Sequence, residues 1–139
     1  EAICHDPTVW VTSLAHRTHE IRPLPVGLFI NSDWSRDYAA RSLDRAGLPW
    51  RLAFEADNSA ALEKALLSGL AIVPRARSTV PPGCRILGPD DGFVEIDRND
   101  VYLLTNPQRS SAAISAMAEV LRDAFRPAVA VRAEEGARG

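Results

Sequence analysis

Two periodicities alternate along this chain, and between Trp50 and Pro74 they follow each other without interruption: WRLAFEADNSAALEKALLSGLAIVP. Trp50–Ala56 reads as a strand, with Leu52 and Phe54 on one face of an alternating pattern. Asp57-Asn58-Ser59 is a polar turn whose side-chain oxygens can cap a helix. Ala60 to Ser68 is built from the strong helix formers Ala, Leu, Glu and Lys, and Leu62, Ala65 and Leu66 share one apolar face. Gly69 supplies the helix stop. Leu70–Val73 is a continuous apolar run, as expected of a strand buried on both faces. Two strands joined by a crossover helix predict a right-handed βαβ unit with parallel strands. In such units small ligands sit at the carboxyl edge of the strands, beside the helix N-terminus. Asp57, Asn58 and Ser59 occupy that edge.

The same order occurs just upstream. Pro23–Ile30, PLPVGLFI, reads as a strand with prolines at its start, where a ladder tolerates them. Asn31-Ser32-Asp33 follows as a polar turn. A helix is predicted from near Trp34 or Ser35 to about Ala46, with Tyr38, Ala39, Leu43 and Ala46 on one face and Gly47 and Pro49 as its stop. Each polar turn alone is explained by capping. Jointly they say more. If strands 26–30 and 50–56 are parallel neighbours, both turns emerge on one sheet edge and two helix N-termini converge there, an arrangement suited to a small anion. Trp34 would give that edge an apolar wall.

The remaining elements are shorter. Thr8–Ser13 is a β-branched, aromatic strand. His16 to Arg22 is a polar linker; His16 and His19 lack a third ligand nearby, so no metal site is expected. Cys84–Leu87, Phe93–Ile96 and Val101–Thr105 read as strands. The last helix is predicted over 111–125, with Ile114, Met117, Ala118, Leu121 and Phe125 forming the strongest helical periodicity in the chain. From Arg126 onward a disordered tail is expected.

Composition narrows the function. A formal net charge of −2 over 139 residues leaves no basic footprint for nucleic acid within this chain. No apolar run approaches the length of a membrane span, and no secretory segment opens the sequence. Cys4 and Cys84 share no CxxC or Cys/His cluster, and two reduced thiols are expected. Phosphate-loop, dinucleotide-binding, GxSxG and HExxH motifs are missing and the carboxylates propose no pair, so neither an enzyme nor a cofactor is expected. The chain lacks an initiating methionine and is expected to begin partway through a longer protein.

The order of residues resembles a known family. PLPVGLFINSDW, the helix ending in AGLPWRLAFEADN, LLSGLAIVPRA and VPPGCRIL follow one another as in the effector-binding domain of LysR-type transcriptional regulators. FVEIDRNDVYLLTNPQRSSAAISAMAEVL looks like that family's return strands and final helix. The resemblance implies an α/β, type 2 periplasmic-binding-protein-like fold, with a complete second subdomain at 22–95. Residues 1–21 and 96–125 would belong to an incomplete first subdomain, and 126–139 would be the tail. It implies a small-molecule effector bound in the cleft between subdomains, with Thr12, Asn31, Ser32, Asp33, Trp34, Asp57, Asn58, Ser59, Val73 and Pro74 lining it. Asp57, where many members carry a small hydroxylated or apolar residue, argues for a hydroxyl, amine or cation as its partner. Strands 8–13 and 101–105 are expected to lack sheet partners. Homodimers or tetramers would form in the full-length protein, with the helix at 35–46 and a strand near 76–80 as candidate contact surfaces. DNA would be bound only through a domain missing here, in the cytoplasm. The alternatives are a solute-binding component of a transporter, which shares the fold, and a small α/β enzyme.

Overall fold

The computed structural model describes residues 1–33, 35–96 and 100–137. Its elements in chain order are β1 (Ala2–His5), β2 (Thr8–Ser13), β3 (Leu24–Phe29), α1 (Ala40–Arg45), β4 (Trp50–Ala56), α2 (Ser59–Leu67), β5 (Val73–Ala76), β6 (Cys84–Leu87), β7 (Asp100–Tyr102) and α3 (Ala112–Ala137). A π-helix, Ser35–Ala39, runs into α1, and short 3-10 turns occupy Thr18–Glu20, Arg77–Thr79 and Pro89–Asp91. The chain divides into two compact units, Pro7–Arg98 and Glu1–Asp6 with Asn99–Gly139.

In Pro7–Arg98, β3 and β4 are parallel, with Leu24 opposite Trp50 and Phe29 opposite Ala56. β2 lies between β5 and β6, antiparallel to both. A parallel bridge from Val26 to Ile72 links the two sets of strands, with the Gly27 amide donating to the Ile72 carbonyl at 2.8 Å. Alternation along β3 separates two cores. Leu24, Val26 and Leu28 pack with Trp10, Leu43, Ile72 and Phe93 on the α1 side. Val9, Val11 and Val73 pack with Leu62 and Leu66 of α2 on the other. Gly69 ends α2 at φ +76°, and the Leu70 amide returns to the Ala65 carbonyl at 3.0 Å. That closes the helix as the sequence predicts.

Several expectations are corrected. Thr8–Ser13 is the central strand of the three-stranded sheet β5-β2-β6 within the Pro7–Arg98 unit, and its six residues are all buried. It has two strand partners, and β7 pairs with β1, so neither strand lacks a partner as expected. Leu52 and Phe54 do not share a face. Val26 pairs with Leu52 but Gly27 with Phe54, so Ala53 is an extra residue and the alternation flips across it. Phe93 and Ile96 are buried in the core without forming a strand. The stretch after β5 is a 3-10 turn rather than a strand near 76–80.

In the unit Glu1–Asp6 with Asn99–Gly139, β1 and β7 form an antiparallel pair. His5 Nδ1 lies 3.0 Å from Asp100 Oδ1 across it. The helix does not stop near Phe125: α3 continues to Ala137, through most of the stretch expected to be disordered. Of its predicted apolar stripe only Ala118 is buried, while Met117 remains 59% exposed.

Candidate functional site

The parallel pairing of β3 with β4, which ends with Phe29 opposite Ala56, brings both polar turns to one sheet edge. The Ile30 amide donates to the Ala56 carbonyl at 2.9 Å, just before Asn31-Ser32-Asp33 and Asp57-Asn58-Ser59 begin. Asn31 and Asp33 are exposed and Ser32 is half-buried; Asp57, Asn58 and Ser59 are exposed. Asn58 is the N-cap of α2, its backbone extended and its Oδ1 accepting from the Ala61 amide at 2.9 Å. Its Nδ2 donates to Asp57 Oδ1 at 2.8 Å, so the cap holds the neighbouring carboxylate in place. Asp57 therefore spends one oxygen on a local contact and presents the rest of its carboxylate to solvent.

Arg36 and Glu55 form an ion pair that sequence reasoning missed. Glu55 is the penultimate residue of β4 and Arg36 follows the first polar turn, so the pair ties the two turns together. The signal was conditional: it becomes readable only once β3 and β4 are taken as parallel neighbours.

Other expected residues lie elsewhere. Thr12 is fully buried, and its hydroxyl oxygen has no hydrogen-bond partner among the described residues. The β2–β5 register sets Val9 opposite Arg75 and Thr8 opposite Ala76, and the Val26–Ile72 bridge aligns β5 with β3. Thr8 and Val9 are thus the β2 residues nearest the turn edge. Thr12 lies about 10 Å further along the strand. Val73 is fully buried against α2 and Pro74 is buried beside it, so neither presents a surface to a ligand in this conformation. Trp34 lies outside the described residues.

A second cluster joins the linker to β6. Arg85 donates to both Asp91 oxygens, at 3.0 and 2.9 Å, and Asp91 also accepts from the Gly88 amide at 3.1 Å. These bonds, the Arg85 guanidinium first, hold the Asp91 carboxyl down at about 2. His19 Nε2 sits 3.3 Å from Arg85 Nη2. Both cysteines are free, and burial pushes each thiol up. No group of three or more His, Cys, Asp or Glu side chains among the described residues could hold a metal ion. No helix among them is long and apolar enough to cross a membrane. In the other unit, a cavity of about 400 Å³ is lined by Thr105, Asn106, Arg109, Ile114, Glu119 and Arg122 among others, and by none of the expected site residues.

A family model described as "LysR substrate binding domain" matches residues 1–126. The chain belongs to this family. Its membership is that of a regulator's substrate-binding domain rather than of an enzyme family. The HTH-type transcriptional regulator PecT of Dickeya dadantii is 24% identical over 120 residues, covering 86% of this chain. The chain spans only 38% of PecT's length. Among solved structures, the regulatory domain of a HypT mutant from Salmonella typhimurium matches with a TM-score of 0.54 and 20% identity, over 93% of this chain and 75% of that one. The regulatory domain of CcmR from Synechocystis PCC6803, solved in complex with 2-PG, matches with a TM-score of 0.54 and 12% identity, over 90% and 65%. The probable amino-acid ABC transporter extracellular-binding protein ytmK from Bacillus subtilis also matches at 0.54, with 16% identity over 98% and 57%. At these identities the likeness is one of fold: the chain is α/β and type 2 periplasmic-binding-protein-like.

Proposed function

We propose that this LysR substrate-binding domain senses a small-molecule effector for a bacterial transcription regulator, and that the effector sits against the turns Asn31-Ser32-Asp33 and Asp57-Asn58-Ser59. The observation that carries the reading is the convergence of both turns on the carboxyl edge of the parallel pair β3–β4. Two helix N-termini and a row of exposed hydrogen-bonding groups meet there. The exposed carboxylates of Asp33 and Asp57 favour an effector that brings a hydroxyl, an amine or a cationic group to this edge. An effector that binds one conformation better shifts the population toward it by its differential affinity, and no other source of switching is needed. In this reading DNA contact belongs to another domain of a cytoplasmic regulator, which acts as a homodimer or tetramer.

The transporter reading rests on fold alone, since ytmK shares the architecture at 16% identity while the LysR family model spans residues 1–126. A thermal-shift panel of polyols, amino acids, amines and small carboxylic acids tests the proposal on this chain. Saturating binding of one class raises Tm, by an amount set by ligand concentration over Kd. Asp57→Ala should abolish most of that shift. A shift untouched by substitutions in both turns would move the site elsewhere.

A further inference from the structure

Between the first polar turn and α1 the backbone winds as a π-helix, Ser35–Ala39, before continuing as the α-helix Ala40–Arg45. A π-turn is a helical turn holding one extra residue, and such turns are rare and concentrated at functional sites. Local sequence does not call for one here. The segment SRDYAARSL contains neither Pro nor Gly, and its Ala, Arg and Leu are good α-helix formers. A tertiary contact must therefore hold it.

The contact is a buried hydrogen-bond chain. Trp10 Nε1 donates to Ser42 Oγ at 2.9 Å, and Ser42 Oγ donates to the Ala39 carbonyl at 2.8 Å. Trp10, Ser42 and Ala39 are each no more than 1% exposed. Ala39 is the last residue of the π-turn, and Trp10 is fixed in the central strand β2 between β5 and β6. At the other end, the Arg36 amide donates to the Ser32 carbonyl at 3.2 Å and the Arg36 guanidinium pairs with Glu55. The extra residue is pinned from both sides, and the turn Asn31-Ser32-Asp33 leads directly into it.

We propose that Ser42 is a positioning residue for the effector edge: through Trp10 and Ala39 it holds the π-turn, and its release lets the segment rewind as α-helix. Rewinding by one residue rotates the preceding turn by about 100° and shifts it by about 1.5 Å. The two windings are discrete states of one packed element, the kind of element an effector can bias. The regulatory meaning rests on the effector reading given above. The winding itself does not, so the experiment uses no ligand.

Ser42→Ala and Trp10→Phe remove the same hydrogen bond from opposite ends. In the 139-residue chain, both should accelerate amide hydrogen exchange at residues 36–39 about tenfold more than at residues 62–66 of α2. No acceleration, or equal acceleration in the two helices, would reduce Ser42 to an ordinary core contact and overturn the proposal. Deletion of Asp37, an exposed residue of the π-turn, removes the extra residue without touching the core. It should leave Tm unchanged or higher; a fall of more than about 2 °C overturns the proposal even if Ser42→Ala fails to fold. Finding no effector would instead sink the effector reading and leave these results standing.

Discussion

The imidazole of His16 lies directly over Gly69, so close that a Cβ built on the glycine would fall 2.5 Å from the ring carbon Cγ and 2.9 Å from the His16 Cβ. The contact joins the linker after β2 to the end of α2, and it is reinforced when the Thr18 hydroxyl donates to the Gly69 carbonyl at 3.0 Å. Gly69 is needed twice, once for its φ of +76° and once for the space His16 fills. Gly69→Ala should therefore cost more than either term alone, on the order of 2–4 kcal/mol in denaturant melts. Adding His16→Ala should recover the steric part and leave the backbone part of about 1–2 kcal/mol.

Arg85 and Asp91 predict a specific acid sensitivity. The folded carboxyl is held at about 2, below its ordinary value of 3.8, so folding favours the ionised form. The stabilisation is fully present above the unfolded value and is lost as pH falls from about 4 toward 2. Because the pair is partly open to solvent, the contribution is on the order of 1–2 kcal/mol. Urea melts between pH 7 and 2.5 should show that slope in the parent chain and a shallower one in Asp91→Asn. Parallel slopes would remove Asp91 from the acid response.

Gly27 marks the place where β3 passes beneath α2. A Cβ there would meet Val73 Cγ1 at 3.0 Å and Leu62 Cδ2 at 3.3 Å, both in the packed core. Gly27→Ala should destabilise by about 1–3 kcal/mol through overpacking. Gly27→Ala with Val73→Ala should be milder than the sum of the two single changes, since one methyl fills the room the other leaves. Additive costs in chemical denaturation would mean that the two side chains do not share this space.

Local patterns in the sequence suffice for strand β4, helix α2, the glycine stops and both polar turns, because each is set by residues within a few positions of one another. Asn58 as the cap of α2 is of this kind. The strand expected at Leu70–Val73 lies instead at Val73–Ala76. What escapes is set by pairing across the chain. The extra residue Ala53 exists only in the register of β4 against β3. The π-turn depends on Trp10 meeting Ser42, 32 residues away. The ion pair of Arg36 with Glu55 needs two turns brought to one edge. The burial of Thr12 is of the same kind: it follows from the registers of β2 against β5 and β6, which no local pattern displays. The stripe on α3 has the clearest periodicity in the chain, yet most of it is exposed within its own unit, because periodicity marks an apolar face without supplying its cover.

Asp57 and Asn58 are adjacent and hydrogen-bonded to each other, but their expected roles separate. Asn58 caps α2 through the Ala61 amide, so Asn58→Ala should cost about 1 kcal/mol of stability. Asp57 precedes the cap and is exposed, so Asp57→Ala should change stability by less than about 0.5 kcal/mol. Binding should reverse the order. Asp57→Ala removes a charge-assisted hydrogen-bond acceptor and should weaken an amine- or hydroxyl-bearing effector by roughly tenfold or more. Asn58→Ser keeps a capping oxygen and should bind close to normally. Chemical denaturation for stability and calorimetric titration for affinity read the two effects separately. If Asp57→Ala costs stability and leaves affinity unchanged, the second polar turn is a helix cap and nothing more. The effector edge would then rest on Asn31, Ser32 and Asp33.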